Sequence, residues 1–184
     1  MNITELGPEH LPTLTRFFDE LPAGDLTFIK EDVTNPTTLR AWIEHLDGVM
    51  RWVGLDRDAV VGFLAVRRLP GWSDHVGEIR LVVHPARRHA GLGTALARHA
   101  LASGVRAGLR KLVVELVADQ VGAQAMFTGL GFTGEALLRD HIRDRDGAFR
   151  DLVVLAHFVE ETWSGMAAVG LTHELGTEQG RTAG

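Results

Sequence analysis

The 184-residue chain contains neither cysteine nor tyrosine. Without thiols it can form no disulfide scaffold, thiolate zinc site, iron–sulfur cluster or cysteine nucleophile, a composition that suits a reducing compartment. Without tyrosine no phenol is available as acid, base or nucleophile, although nine histidines remain. A basic surplus is also missing: 19 Lys and Arg against 24 Asp and Glu leave a formal charge of −5. That balance argues against a nucleic-acid binder held by phosphate neutralisation. No run reaches the roughly 18 apolar residues that span a bilayer, and Met1 to Leu6 lacks the basic and apolar regions of a secretion signal. The expectation is a cytoplasmic protein with neither nucleic acid nor membrane as partner.

Hydrophobic residues make up 45% and charged residues 23%, which is ordinary for a globular protein. The length slightly exceeds the roughly 150 residues of one domain, so one unit with extra length at an end is expected. Ile3 to Leu6 reads as a short strand. Pro8 opens a helix carrying Leu11, Leu14, Phe17, Phe18 and Leu21 on one face, ended by Pro22-Ala23-Gly24-Asp25. Leu26 to Val33 has no period and reads as a loop. Asn35-Pro36 is an N-cap signal for a second helix with Leu39, Trp42, Ile43 and Leu46 on its core face, stopped at Gly48. Val49 to Leu55 and Ala59 to Val66 predict a hairpin around Asp56-Arg57-Asp58. Leu69 to Gly77 reads as a loop, Glu78 to His84 as a strand, Leu92 to Val105 as a helix, and Lys111 to Val117 as a strand buried on both faces. A short helix is predicted over Gly122 to Leu130. Ala136 to Ile142 and Phe149 to Phe158 pair around the turn signal Asp146-Gly147. The glycine-bearing stretch from residue 159 to 184 reads as a partly flexible extension with one short helix near Met166 to Leu175, available to cover an apolar surface or join a homodimer. The pattern predicts an α+β or mixed α/β layer fold.

The chemistry lies in the segment from Glu78 to Thr94. A strand feeds a basic turn, Arg88-x-x-Gly91-x-Gly93, that opens a helix. Glycines let backbone approach a ligand, the first-turn N–H groups are free, and the helix dipole and the arginines favour negative charge. A pyrophosphate fits such a turn. A P-loop is excluded because Thr94-Ala95 follows the second glycine where Lys-Ser or Lys-Thr is required. A Rossmann fingerprint fails because Leu96 occupies its last glycine or alanine position.

Arg88-His89-Ala90-Gly91-Leu92-Gly93, after a strand ending Leu81-Val82-Val83-His84-Pro85, resembles the acyl-CoA-binding motif of the GNAT superfamily of N-acetyltransferases. An apolar strand, Ala123-x-x-Met126-Phe127-x-x-x-Gly131-Phe132 and a terminal hairpin follow in the order of that family. The resemblance covers about residues 1 to 158, taken as the acetyltransferase domain. It implies a mixed, mostly antiparallel sheet flanked by helices and splayed between its fourth and fifth strands, with acetyl-CoA wedged in the opening. Backbone groups of Leu81, Val82 and Val83 would hold the pantetheine like an added strand. N–H groups along Arg88, His89, Ala90, Gly91, Leu92, Gly93 and Thr94 would cradle the pyrophosphate. The implied reaction is direct acetyl transfer from acetyl-CoA to a primary amine, with no metal.

Direct transfer requires a neutral amine, and an alkylamine near pKa 10.4 is mostly protonated at neutral pH, so a base must help. The resemblance suggests Glu78, whose alternative is a surface carboxylate paired with Arg80 or Arg98. A backbone N–H near Val83 would stabilise the oxyanion. Where many members carry a tyrosine against the CoA sulfur this chain has Phe127, which can still pack on the pantetheine arm, and Gln120 stands where an asparagine is common. His141, in the terminal hairpin, is a candidate replacement for the missing acid. The missing phenol also leaves open a second class, a CoA-binding or interaction module with little turnover. Acceptor identity would be set by the loop Pro22 to Val33, where Asp25, Glu31 and Asp32 outnumber Lys30, and by the hairpin; a solvated rim is the simpler reading of those charges. Trp72, Asp74 and His75 are candidates to line the same cleft.

Overall fold

Periodicity and turn chemistry place nearly every element where the chain folds it. The computed structural model describes residues 2–26, 29–44 and 48–159; Leu46 and the helix expected near Met166 to Leu175 lie outside the described residues. The elements run β1 (Asn2–Glu5), α1 (Leu11–Asp19), α2 (Ala23–Leu26), α3 (Pro36–Glu44), β2 (Val49–Asp56), β3 (Ala59–Arg68), β4 (Val76–Val83), α4 (Leu92–Arg106), β5 (Lys111–Val117), α5 (Val121–Gly129), β6 (Thr133–Arg143) and β7 (Phe149–Phe158). The strands form one seven-stranded sheet in the order β1-β2-β3-β4-β5-β7-β6. Its recorded pairings are antiparallel except for β4 with β5, which run parallel across the α4 crossover.

Local signals explain the boundaries. The Thr37 N–H donates to Asn35 Oδ1 at 2.9 Å, a side-chain cap worth about 1 kcal/mol to α3. In the β6–β7 turn Gly147 takes φ +86°, a conformation glycine adopts freely. There Asp144 Oδ1 accepts from the N–H groups of Asp146 (3.1 Å) and Ala148 (2.8 Å). Partial desolvation works to raise the pKa of Asp144, yet the Ala148 N–H and Arg150 outweigh it and hold the carboxyl below its ordinary value.

Three local expectations are corrected. Pro22 to Asp25 does more than stop α1: the Pro22 carbonyl accepts from Asp25 N–H (2.9 Å) and Leu26 N–H (3.2 Å), starting the single turn of α2. The stretch from Pro8 to His10 is a separate 3₁₀ turn ahead of α1. The β5 strand is not buried on both faces. Leu112, Val114 and Leu116 are buried, while Val113 and Glu115 are half-buried because their face looks into a cleft.

Strand alternation divides the core into two layers. On one face Leu64, Val66, Ile79, Leu112 and Val114 pack against Leu92, Leu96, Ala97, Ala100 and Leu101 of α4. On the other, Val53, Phe63 and Ala65 pack against Leu14, Phe17 and Phe18 of α1 and Leu39 of α3. Each fully buried Leu or Phe contributes about 1.5–3 kcal/mol, enough to clamp β3 and β4 between helices and hold the site rigid.

His99 on α4 sits edge-on to Trp52 with ring centroids 4.9 Å apart. Its Nε2 is buried with no hydrogen-bond partner among the described residues. Burial, aided by the charge of Arg106, pulls its pKa below the ordinary 6.5. The folded state therefore favours neutral imidazole, and the unfolded chain binds more protons as pH falls below 6.5. This contribution is full above that value and is lost on acidification. Thermal melts from about pH 7.5 to about pH 5 should show a smaller drop in Tm for His99→Gln than for the native chain. Equal drops would remove His99 as a source of acid sensitivity.

Candidate active site

The sheet opens where β4 and β5 part. They pair from Val76↔Lys111 to Ile79↔Val114 and no further. Beyond that point β4 stays on β3, through Ala65↔Arg80 to Gly62↔Val83, and β5 stays on β7, through Glu115↔Val154 to Val117↔Leu152. The N–H of His84 bonds to Val61 O at 3.0 Å, on the β3 side. Alternation along an extended strand then turns the amides of Val82 and Arg80 the same way and those of Leu81 and Val83 into the opening.

Beside the opening, the chain leaves β4 through a 3₁₀ turn at Pro85–Arg87 and enters α4. Two residues in this turn are left-handed, His89 at φ +62° and Gly91 at φ +81°. Gly91 is the residue preceding the helix, and the first bond across it is Ala95 N–H to Gly91 O at 3.0 Å. The N–H groups of Leu92, Gly93 and Thr94 thus lack intrahelical acceptors. Arg87 pairs with Asp56, and Arg88 donates to Asp25 Oδ2 at 2.6 Å, joining the turn to α2. Free N–H groups, a helix N-terminus and two arginines make this turn an anion cradle.

A cleft with a cavity volume of about 120 Å³ runs through the opening. Its apolar wall includes Ile79, Leu81, Leu116, Met126 and Phe127. Its other wall is charged. The pairing Arg67↔Glu78 and Ala65↔Arg80 puts Arg67, Glu78 and Arg80 on one sheet face, and Glu115 shares that face on β5. Over them lies the segment after α2. Lys30 Nζ sits 2.6 Å from Glu78 Oε1 and 2.7 Å from Glu115 Oε2. Glu31 pairs with Arg80 and lies 3.7 Å from Arg67. Arg80 NH2 also reaches Glu78 Oε2 at 3.3 Å. Burial works to lower the pKa of Lys30, but the hydrogen bonds and charges of Glu115 and Glu78 outweigh it and hold the ammonium above its ordinary value. Burial pulls the Arg80 guanidinium down against the charge of Glu115.

Glu78 is thus a buried cleft carboxylate, 7% exposed, with Arg80 beside it as expected and with Lys30 in addition. Arg98 is exposed on α4, on the opposite face of the sheet. Phe127 is 1% exposed and packs edge-on to Phe132, centroids 5.1 Å apart, while still lining the cleft. Gln120 lines the cleft too, its Oε1 accepting from Val117 N–H at 3.2 Å. His141 falls elsewhere: it is exposed on β6, within the irregular register between Leu138 and Ile142, and is not among the cleft-lining residues. Trp72 is 96% exposed outside the cleft, because the 3₁₀ turn Gly71–Ser73 projects from the sheet. Lys30 and Glu31 line the cleft, Lys30 while itself exposed. Trp42, expected as helix core, stacks on Phe63 at 4.9 Å and also borders the cleft. Glu115 was hidden by its apolar neighbours; the signal was one carboxylate on an otherwise apolar strand. Among the described residues, no group of three or more His, Asp or Glu could hold a metal, and no helix is long and apolar enough to cross a membrane.

A mycothiol acetyltransferase from Amycolatopsis mediterranei is 36% identical over 125 residues, covering 64% of this chain. The chain spans 40% of the length of that relative. Solved structures share the fold at low identity. A ribosomal-protein-alanine N-acetyltransferase from Brucella melitensis superposes with TM-score 0.75 at 18% identity, covering 86% of this chain and 99% of that one. A putative acetyltransferase from Salmonella typhimurium, solved with its cofactor acetyl-CoA, gives 0.72 at 18% identity over 86% of this chain and 93% of that one. The acetyltransferase (GNAT) family pattern matches residues 15–132; with more than half its length so matched, and with the parted strands and anion cradle in place, the chain belongs to that family.

Proposed function

We propose that this chain is an acetyl-CoA-dependent N-acetyltransferase that passes the acetyl group directly to a primary amine. The observation that carries the reading is the succession of three parts along the opening: the gap-facing amides of Leu81 and Val83, the buried carboxylate of Glu78 in the cleft, and the cradle from Arg88 to Thr94 beside it, where Gly93 comes against Val83 and the cleft residue Met126. The N–H of Leu81 and the carbonyls of Leu81 and Val83 would continue the β4 ladder onto the amides of the pantetheine arm, leaving the Val83 N–H to the thioester oxygen. The cradle would take the pyrophosphate, with Met126 and Phe127 as apolar walls.

Glu78 takes the proton from the acceptor ammonium, directly or through one water. The amine nitrogen then attacks the thioester carbonyl carbon, forming the C–N bond, and the oxyanion accepts from the Val83 N–H. Collapse breaks the C–S bond. A thiol near pKa 8.5 departs tolerably as thiolate, so Phe127 in place of a phenol slows the step without blocking it. Water carries the surplus proton of the newly acylated nitrogen to the thiolate, leaving a neutral amide and the CoA thiol. The absence of cysteine excludes an acyl-thioester on the chain.

Calorimetric titration with acetyl-CoA tests the donor site, and no binding at high micromolar concentration sinks the proposal. The buried Phe127 favours a second reading, a CoA-binding module without turnover. Release of CoA over a panel of amines separates the two: product well above background hydrolysis rejects the module. A cytoplasmic setting and a homodimer remain parts of the same proposal, supported only by composition and by the extension after Phe158.

A further inference from the structure

The charged wall of the cleft is not a scatter of ion pairs. Four groups on one face of the sheet stand as two acids and two bases: Glu78 and Glu115, Arg67 and Arg80. Two consecutive residues of the loop answer them in kind. Lys30 places an ammonium between the two carboxylates at 2.6 and 2.7 Å. Glu31 places a carboxylate against the two guanidinium groups. The Nε atoms of Arg67 and Arg80 are buried and have no hydrogen-bond partner among the described residues, so both arginines retain an unused donor.

Building on the acetyltransferase reading above, we propose that this wall is the acceptor subsite, that it selects a zwitterionic amine carrying a carboxylate, and that Lys30-Glu31 is the chain's own occupant of it. The argument is one of charge balance. Lys30 and Glu31 are adjacent in the chain, so an acceptor that displaces one displaces the other. An amine without an anion would replace Lys30 between Glu78 and Glu115 but leave Arg67 and Arg80 without the carboxylate they now hold. Arg80 would keep only Glu78, and a partly buried guanidinium that loses its counter-charge, as Arg67 would on losing Glu31, is costly. An amino acid supplies both charges, and its carboxylate matches the planar fork of arginine. Glu78 touches Lys30 and Arg80 alike, so the ammonium and carboxylate positions are neighbours. The acceptor amine is thereby delivered to the carboxylate proposed as its base. The acids fix where the nitrogen sits, and the arginines decide which amines qualify.

The test is calorimetric titration of the full chain loaded with CoA, using glycine, alanine, β-alanine, 4-aminobutyrate and 5-aminovalerate, each beside its decarboxylated amine. At least one amino acid should bind about tenfold or more tightly than its amine counterpart. That advantage should collapse in Arg67→Gln, and the double variant Lys30→Gln/Glu31→Gln, which removes the internal occupant's charges, should bind the preferred amino acid more tightly than the native chain. The proposal is overturned if plain amines bind as well as amino acids across the panel, if no amino acid binds, or if Arg67→Gln leaves the preference intact. Release of CoA from acetyl-CoA, followed in parallel, keeps the two readings apart. Turnover of amines without preference for a carboxylate rejects the zwitterion subsite alone. Amino-acid binding with no release rejects the transferase reading alone.

Discussion

Glu78→Gln should lower kcat/KM by about 10²–10⁴-fold, the usual contribution of a positioned general base. Glutamine keeps the shape of the side chain and its ability to accept one hydrogen bond from Lys30, so the fold should survive. It cannot take a proton from the acceptor. The deficit should be largest at lower pH, where few acceptor amines are already neutral, and should shrink toward the amine pKa near 10.4, where the solvent has done the deprotonation. A pH–rate profile of native and variant enzyme, with kcat and KM separated, checks this. The substitution also removes one carboxylate from the Lys30 site, so KM will move as well; a loss confined to KM, with kcat and its pH dependence untouched, would reassign Glu78 from base to binding.

Gly91→Val should weaken acetyl-CoA by about tenfold or more while changing stability modestly. The reason is conformational and not steric. A Cβ at this position meets nothing within 4 Å, but the backbone sits at φ +81°. A left-handed residue with a side chain costs about 1–2 kcal/mol, and a β-branched one is a true outlier there. The turn would relax toward ordinary φ, and the N–H groups of Leu92, Gly93 and Thr94 would no longer share one concavity. Gly108→Val is the control. It imposes the same strain at φ +72° beyond the far end of α4, where a Cβ also meets nothing within 4 Å, and it should leave donor binding close to native. Calorimetry on both variants, with thermal melts for folding, decides the matter: native affinity in Gly91→Val would mean that the pyrophosphate is held by something other than this turn.

The strand, turn and helix proposed to hold the donor were legible because their information is local. Strand, turn and helix follow one another from Glu78 to Thr94, and the φ requirement of Gly91 and the free N–H groups of α4 are properties of neighbouring residues. Asn35-Pro36 and Asp146-Gly147 were legible for the same reason. The acceptor half was not, because it is assembled across the chain. Lys30 meets Glu78 from 48 residues away, out of a loop without periodicity, and Glu115 is surrounded in sequence by aliphatic residues. Trp72 and His141 misled in the opposite sense. Trp72 stands six residues before the motif and His141 lies in the terminal hairpin, yet a projecting turn and an irregular edge strand carry them out of the cleft. Phe127 is the intermediate case. Its position was legible, but its edge-on packing with Phe132 makes it as much a core residue as a site residue, so restoring a phenol there would bury a hydroxyl.

The amides of Leu81 and Val83 that face the opening are main-chain groups, present whatever side chains those two positions bear. If they hold the donor as proposed, recognition along β4 is nearly independent of residue identity, whereas the wall of Arg67, Glu78, Arg80 and Glu115 is made wholly of side chains. One half of the cleft can drift in sequence without losing its ligand; the other can exchange ligands by single substitutions. A lineage built on this frame is free to explore new acceptors while its acyl donor stays constant.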